Sequence, residues 1–255
     1  MAASATYRAP SVKRALAILE MVSESQEGLG ISEIARRLGV SKGSVFGICG
    51  QLEAGGALVR DQGSKRYGLG PLVTTLASRG SVYTLLRQAA GPELTRLRDE
   101  LGQSVFLGVL SRGEITVVDA RQPVGRMGIA AGPGTRLPLA AGAVGKALLA
   151  GLAPERITQV LAEGLPAYTP ATVTDPRKFQ EQLEAARRQG YALEQDEYLL
   201  GMWGVAAGIG AAGGLPAAIW AAGFTSSLEP GELPAMGPRL ARAAERVAAA
   251  MGAAL

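Results

Sequence analysis

Beyond Pro10, apolar residues recur every three or four positions, at Val12, Ala15, Leu16, Leu19 and Val22. The period predicts an amphipathic helix that Ser11 can cap and that the Glu-Gly-Leu-Gly stretch at 27–30 ends. A second, short helix is expected from about Ser32 to Leu38, with Glu33, Arg36 and Arg37 on its outer side; Gly39 breaks it, and a third runs from Ser41 to about Glu53. Residues 57–60 read as a strand, 61–64 as a turn and 65–69 as the return strand, so a basic hairpin directly follows two helices. From Pro71 to about Leu101 the pattern is again helical, on Leu76, Leu85, Leu86, Leu94, Leu97 and Leu101. A break near Gly91 and Pro92 is where the domains should be joined.

Farther on, the texture becomes one of alternating strands and helices. Segments 105–110 and 115–120 flank Ser111, Arg112, Gly113 and Glu114, which read as a hairpin turn. Helices are expected at about 141–152, 154–162 and 176–189, the last two opened by proline and the last closed by Gly190. Two strands, about 203–209 and 215–224, precede a C-terminal helix carrying Leu233, Met236, Leu240, Val247 and Met251. No internal repeat is visible, and the order of elements predicts an α+β fold.

Length and composition narrow the function. A chain of 255 residues favours two modest domains. Apolar residues make up 47% of it, yet none of its runs approaches the roughly 18 that a membrane span requires. The opening MAASATYRAP resembles neither a signal nor a transit peptide, so a soluble, cytoplasmic protein without a membrane partner is expected. The single cysteine, Cys49, allows no intrachain disulfide and reads as a small core hydrophobe rather than a redox sensor. The absence of histidine removes Ser-His-Asp and Cys-His catalysis and the usual zinc clusters. Carboxylate or lysine chemistry remains open, but no convincing acid–base pair stands out, so no catalytic, metal or cofactor residues are expected. Residues 1–80 hold ten Lys/Arg against six Asp/Glu, whereas the rest of the chain balances at sixteen each, so all the excess positive charge lies in the N-terminal third.

Residues 31–49, ISEIARRLGVSKGSVFGIC, explain that asymmetry. A helix-turn-helix needs a small residue where its helices cross, a residue that tolerates a left-handed backbone at the turn, and apolar anchors inside. Ala35, Gly39, and Ile34, Leu38, Val40, Val45 and Ile48 supply them in register. The second helix would enter the major groove, with Lys42 and Ser44 suited to phosphates or base edges, Gln51 to adenine and Phe46 to a thymine methyl. Gly47 belongs to a bare stripe with Gly43 and Gly50; the stripe either brings the helix backbone close to DNA or is merely tolerated. Arg60, Lys65 and Arg66 on the hairpin would lie over the DNA backbone or minor groove.

Three other signals fail in context. Gly208, Gly210 and Gly213 spell the dinucleotide fingerprint, but a strand rather than a helix follows them, so a turn is expected. Lys146 follows Gly145, but Ala140 and Ala147 stand where a phosphate loop needs glycine and Ser/Thr. Asp196 and Glu197 read as solvated loop carboxylates.

The chain resembles the IclR family of bacterial transcription regulators over nearly its whole length. The resemblance is carried by SVKRALAILE at the N-terminus, the helix-turn-helix, RYGLG after the hairpin, GTRLPLAAGAVGKALLA at 134–150, GYALEQDEYLLGMWGVAAGI at 190–209 and AAIWAAGF at 217–224. It implies a winged helix-turn-helix domain over 1–72, linker helices over 73–98 and a GAF-like α/β sensor domain with a central antiparallel sheet over 99–255. It also implies a homodimer or dimer of dimers on double-stranded, palindromic operator DNA, and a small-molecule effector held by the positions matching Ile129, Leu137, Gly142, Ala143, Glu194, Gly204, Trp220 and Ala222. Trp220 and Ala222 stand where some relatives have small polar contacts, so a larger aromatic or apolar effector is expected over a tiny oxo-acid. A helix opening near Ala141 offers free N–H groups to a carboxylate, and Glu194 can accept from a hydroxyl or amine. The expected function is a repressor controlled by that effector. The alternatives are an enzyme with a vestigial DNA module and a sensor acting through protein contacts.

Overall fold

The structure is a computed structural model that describes residues 9–78, 82–212 and 214–254. By contacts the chain divides into two compact units, Met1–Ser81 and Val82–Leu255.

In the first unit, α1 (Pro10–Ser23) starts one residue earlier than Ser11 can cap: Pro10 takes the first helical position, and Ala9, with no side-chain hydrogen bond, is the N-cap. Helix α2 (Ile31–Leu38) likewise starts after Gly30 rather than at Ser32, and ends on Gly39, whose φ of 65° is left-handed. Ser41 caps α3 (Lys42–Ala54), its side chain accepting from the Ser44 N–H at 3.3 Å. Strands β1 (Leu58–Arg60) and β2 (Tyr67–Leu69) pair antiparallel, and Tyr67 exchanges backbone hydrogen bonds with Leu29 at 2.9 and 3.0 Å, stitching the hairpin to the connection between α1 and α2. Ile18, Val22, Leu29, Ile34, Ala35, Val45, Cys49, Leu58 and Tyr67 form the core. Val12 and Leu16, expected inside, are 56% and 50% exposed; of the expected positions Val22 is buried, together with Ile18, which was not among them. A short helix α4 (Pro71–Ser78) completes the unit.

The second unit is a six-stranded antiparallel sheet between helices. Its strands β3 (Ser104–Ser111), β4 (Glu114–Arg121), β5 (Arg136–Pro138), β6 (Ala192–Gln195), β7 (Met202–Ala212) and β8 (Leu215–Phe224) lie in the order β5-β4-β3-β8-β7-β6. Side chains alternate between the faces along each strand. Val105, Leu107 and Val109 of β3 meet α5 (Val82–Leu101) and α9 (Glu232–Ala254), whereas Phe106 faces α6 (Gly142–Ala150) and α8 (Pro176–Gln189). Helix α7 (Pro154–Glu163) adds Val160 to that second core. The expected break at Gly91 and Pro92 is absent: α5 continues through Pro92, because Leu86 and Ala90 before it and Leu94 and Leu97 after it are all fixed in one core. Gly208 and Gly210 lie within β7, where the register shifts, and the chain returns directly as β8; Gly213 itself is outside the described residues. No helix among the described residues is long and apolar enough to cross a membrane.

Candidate functional site

On α3, Lys42, Phe46, Gly47 and Gln51 are exposed and Ser44 is half-buried. Gly43, Gly47, Ile48 and Gln51 of α3 and Val12 and Ala15 of α1 line a shallow apolar groove. A Cβ placed on Gly43, Gly47 or Gly50 would meet nothing within 4 Å, so nothing in this unit requires glycine there. Gly47→Ala is therefore expected to stabilise the unit by up to about 1 kcal/mol, from helix propensity alone; urea denaturation checks it, and a loss of stability would mean the groove is already filled.

The hairpin cations differ. Lys65 is exposed on the turn, with φ 58°, beside Asp61, whose Oδ1 accepts from the N–H and hydroxyl of Ser64, both at 2.6 Å. Arg66 donates to the Gly28 carbonyl at 2.6 Å, and the Arg60 guanidinium lies 5.6 Å from the Tyr67 ring centroid. Both arginines brace the hairpin, which sequence patterning did not anticipate. Cys49 is buried, and burial, with the nearby Glu53 charge, pushes its thiol up to about 11. It is a packing residue.

In the second unit, all eight residues expected at the effector site line one cavity of about 280 Å³: Ile129, Leu137, Gly142, Ala143, Glu194, Gly204, Trp220 and Ala222. Four elements bring six of them together, and β5 adds Leu137. The first turn of α6 supplies Gly142, at φ 56°, and Ala143; β6 and β7 supply the directly paired Glu194 and Gly204; β8 supplies Trp220 and Ala222. Phe106, Arg136, Tyr198, Leu199 and Met202 also line it and were missed. Phe106 stacks on Trp220 with centroids 5.1 Å apart at 26°. Gly108 makes room for that indole, since a Cβ there would lie 2.7 Å from Trp220 Cζ3.

Behind the cavity, Lys146 is 1% exposed and donates to Glu197 Oε1 at 2.6 Å and to the Leu193 carbonyl at 3.3 Å. Glu197 is thus a half-buried ion-pair partner, not the solvated carboxylate expected; Asp196 likewise folds back, its Oδ1 accepting from the Gly201 N–H at 2.6 Å. The one available signal was a lysine inside the otherwise apolar run GAVGKALLA. Glu194 Oε2 accepts from the Glu197 and Tyr198 N–H groups at 3.0 and 3.4 Å. Burial above all, and then the neighbouring Glu197 charge, pushes its carboxyl above the usual range against the pull of those hydrogen bonds and Lys146.

Residues 11–62 match the IclR helix-turn-helix domain, and residues 82–249 match the C-terminal domain of the bacterial transcriptional regulators of that name. The chain belongs to the IclR family. It is 32% identical over 243 residues to the HTH-type transcriptional regulator BhcR of Paracoccus denitrificans, covering 94% of this chain and 87% of that one. Against the transcriptional repressor IclR of Escherichia coli it is 30% identical over 204 residues, 78% and 74% of the two chains. The crystal structure of an IclR homolog from Microbacterium hydrocarbonoxydans, complexed with 4-hydroxybenzoate, superposes with a TM-score of 0.83 at 27% identity, over 95% of this chain and 99% of that one. This IclR-family chain is a DNA-binding transcription regulator and not an enzyme, with its helix-turn-helix in the first unit and the regulators' C-terminal domain in the second.

Proposed function

We propose that the chain is a repressor whose affinity for a palindromic operator is set by a carboxylate or aromatic metabolite bound in the cavity of the second unit. The supporting observation is the gathering of all eight expected effector positions around one cavity whose walls are mainly apolar. Relatives that act as repressors, and one solved with an aromatic hydroxy acid, point the same way. Lys42, Ser44, Phe46, Gly47 and Gln51 meet the major groove, and Arg60, Lys65 and Arg66 lie over the backbone or minor groove. The protein acts as a homodimer or dimer of dimers, with residues 73–98 joining a wing domain over 1–72 to a sensor over 99–255, the part of that linker from Val82 on being packed into the sensor's core. Control requires the effector to bind the DNA-competent and released states with different affinity.

The test is a mobility shift of the purified protein on its own upstream promoter DNA, across salt and against small carboxylates and aromatics. Tight binding that falls with salt and is released by one compound class supports the reading; no binding at any salt sinks it. Lys42→Ala and Lys65→Ala are each expected to lower the slope of log K against log salt by about 0.9, one phosphate contact apiece. An unchanged slope removes that lysine from the interface.

A further inference from the structure

Lys65 stands on the turn of the hairpin at φ 58°, a left-handed conformation that glycine or asparagine adopts more readily than lysine. A turn that needed only this backbone would be better served by glycine. The long cationic side chain is thus carried against the local preference of the chain. Asp61, Ser64 and Lys65 are all exposed, so hydrogen bonds rather than packing set the geometry.

Those bonds converge on Asp61. Its Oδ1 accepts from the N–H and the hydroxyl of Ser64, both at 2.6 Å, and the Ser64 hydroxyl in turn accepts from the Arg66 N–H at 3.4 Å. One carboxylate oxygen therefore ties down the residues on both sides of Lys65. The Asp61 backbone closes the same loop, its N–H donating to the Arg66 carbonyl at 2.9 Å and its carbonyl accepting from the Lys65 N–H at 3.0 Å. The Ser64 hydroxyl and N–H hold the Asp61 carboxyl below the usual carboxylate range, so it is charged at neutral pH. On a wing that meets DNA such a charge repels the phosphates. Asparagine would offer the same acceptor without the charge, but a charged acceptor makes the stronger bonds.

We propose that Asp61 is a positioning residue for DNA recognition: through Ser64 it fixes the left-handed backbone at Lys65 and so aims that ammonium at a phosphate, while its own charge weakens binding to the same strand. This rests on the wing reading above and assigns the residue that orders the wing.

The experiment measures binding of the full-length protein to its upstream promoter DNA between about 50 and about 200 mM salt, for the parent, Lys65→Ala, Asp61→Ala, Asp61→Asn and the double variant Asp61→Ala with Lys65→Ala. The two Asp61 variants lose the same charge and differ in the acceptor. Asp61→Asn is expected to keep the parent's slope of log K against log salt and to bind more tightly at low salt. Asp61→Ala is expected to lower the slope by about 0.9, as Lys65→Ala does, so that the affinity ratio across this salt range shrinks about 3.5-fold. The double variant should show no further fall. Equal slopes for Asp61→Asn and Asp61→Ala overturn the proposal, and so does an Asp61→Asn protein that binds no tighter than the parent at low salt. A double variant with a slope below that of Lys65→Ala also overturns it, since Asp61 would then act without Lys65. If Asp61→Ala does not fold, as circular dichroism would show, Ser64→Ala takes its place: it breaks the link to the Arg66 N–H, and an unchanged slope there overturns the proposal. A slope lowered by Lys65→Ala but not by Asp61→Ala leaves the wing reading standing while the positioning role falls; a slope untouched by Lys65→Ala takes both.

Discussion

Replacing Lys146 with methionine should cost the second unit about 3–5 kcal/mol, the scale for removing one partner of a buried ion pair. For a domain of this size that is a fall of roughly 6–20 °C in melting temperature. Methionine keeps most of the volume, so packing is not the cause. The cause is charge: Glu197 Oε1 loses its partner at 2.6 Å, and the Glu197 side chain, only 14% exposed, is left beside the more deeply buried Glu194. Two carboxylates then share a pocket with no cation between them, and protonation becomes the cheaper state for one of them. The double variant Lys146→Met with Glu197→Gln removes both charges and should recover most of the loss, because an absent pair costs far less than a broken one. Chemical denaturation of the three proteins measures the coupling. A loss below about 1 kcal/mol in the single variant would show that water reaches Glu197 and that the pair is a surface one.

The contrast between Lys146 and the helix-turn-helix shows what the sequence can disclose. In residues 31–49 the information is local: a 3.6-residue period, a small residue at the crossing and a left-handed glycine at 39 are all visible within nineteen positions, and the structure places each in its expected role. The strand pairings of the second unit were legible wherever a long apolar segment met a short turn, as at 104–121. They were not legible for β5 and β6, whose three and four residues are too few to show a period of two. The effector positions came from family resemblance, not from any pattern; only the fold makes neighbours of Ala143, Glu194 and Trp220. Long-range contacts of this kind also shape the wing, where Arg66 donates to the Gly28 carbonyl, thirty-eight residues away. Helix starts failed for a simpler reason: Ser11 and Ser32 are acceptable caps, but Pro10 and Ile31 had already begun the helices.

Gly145→Ala should destabilise the second unit by about 3 kcal/mol, at the upper end of ordinary overpacking costs. On a helix that substitution gains about 1 kcal/mol if nothing is in the way. Here a Cβ would sit 2.1 Å from the Leu139 carbonyl oxygen and 3.3 Å from the Ala140 carbonyl carbon, both backbone atoms that no rotamer change can move. Relief would require α6 to lift from the segment entering it, and its first turn is a wall of the effector cavity. Ligand affinity should therefore fall together with stability. Gly47→Ala is the internal control: the same change on α3 opens onto empty space and carries the propensity gain with no clash. Measured side by side in urea, the two substitutions should differ in sign. A stabilised Gly145→Ala protein would mean that α6 stands off from residues 139–140, and the first-turn geometry assigned to the cavity would fall with it.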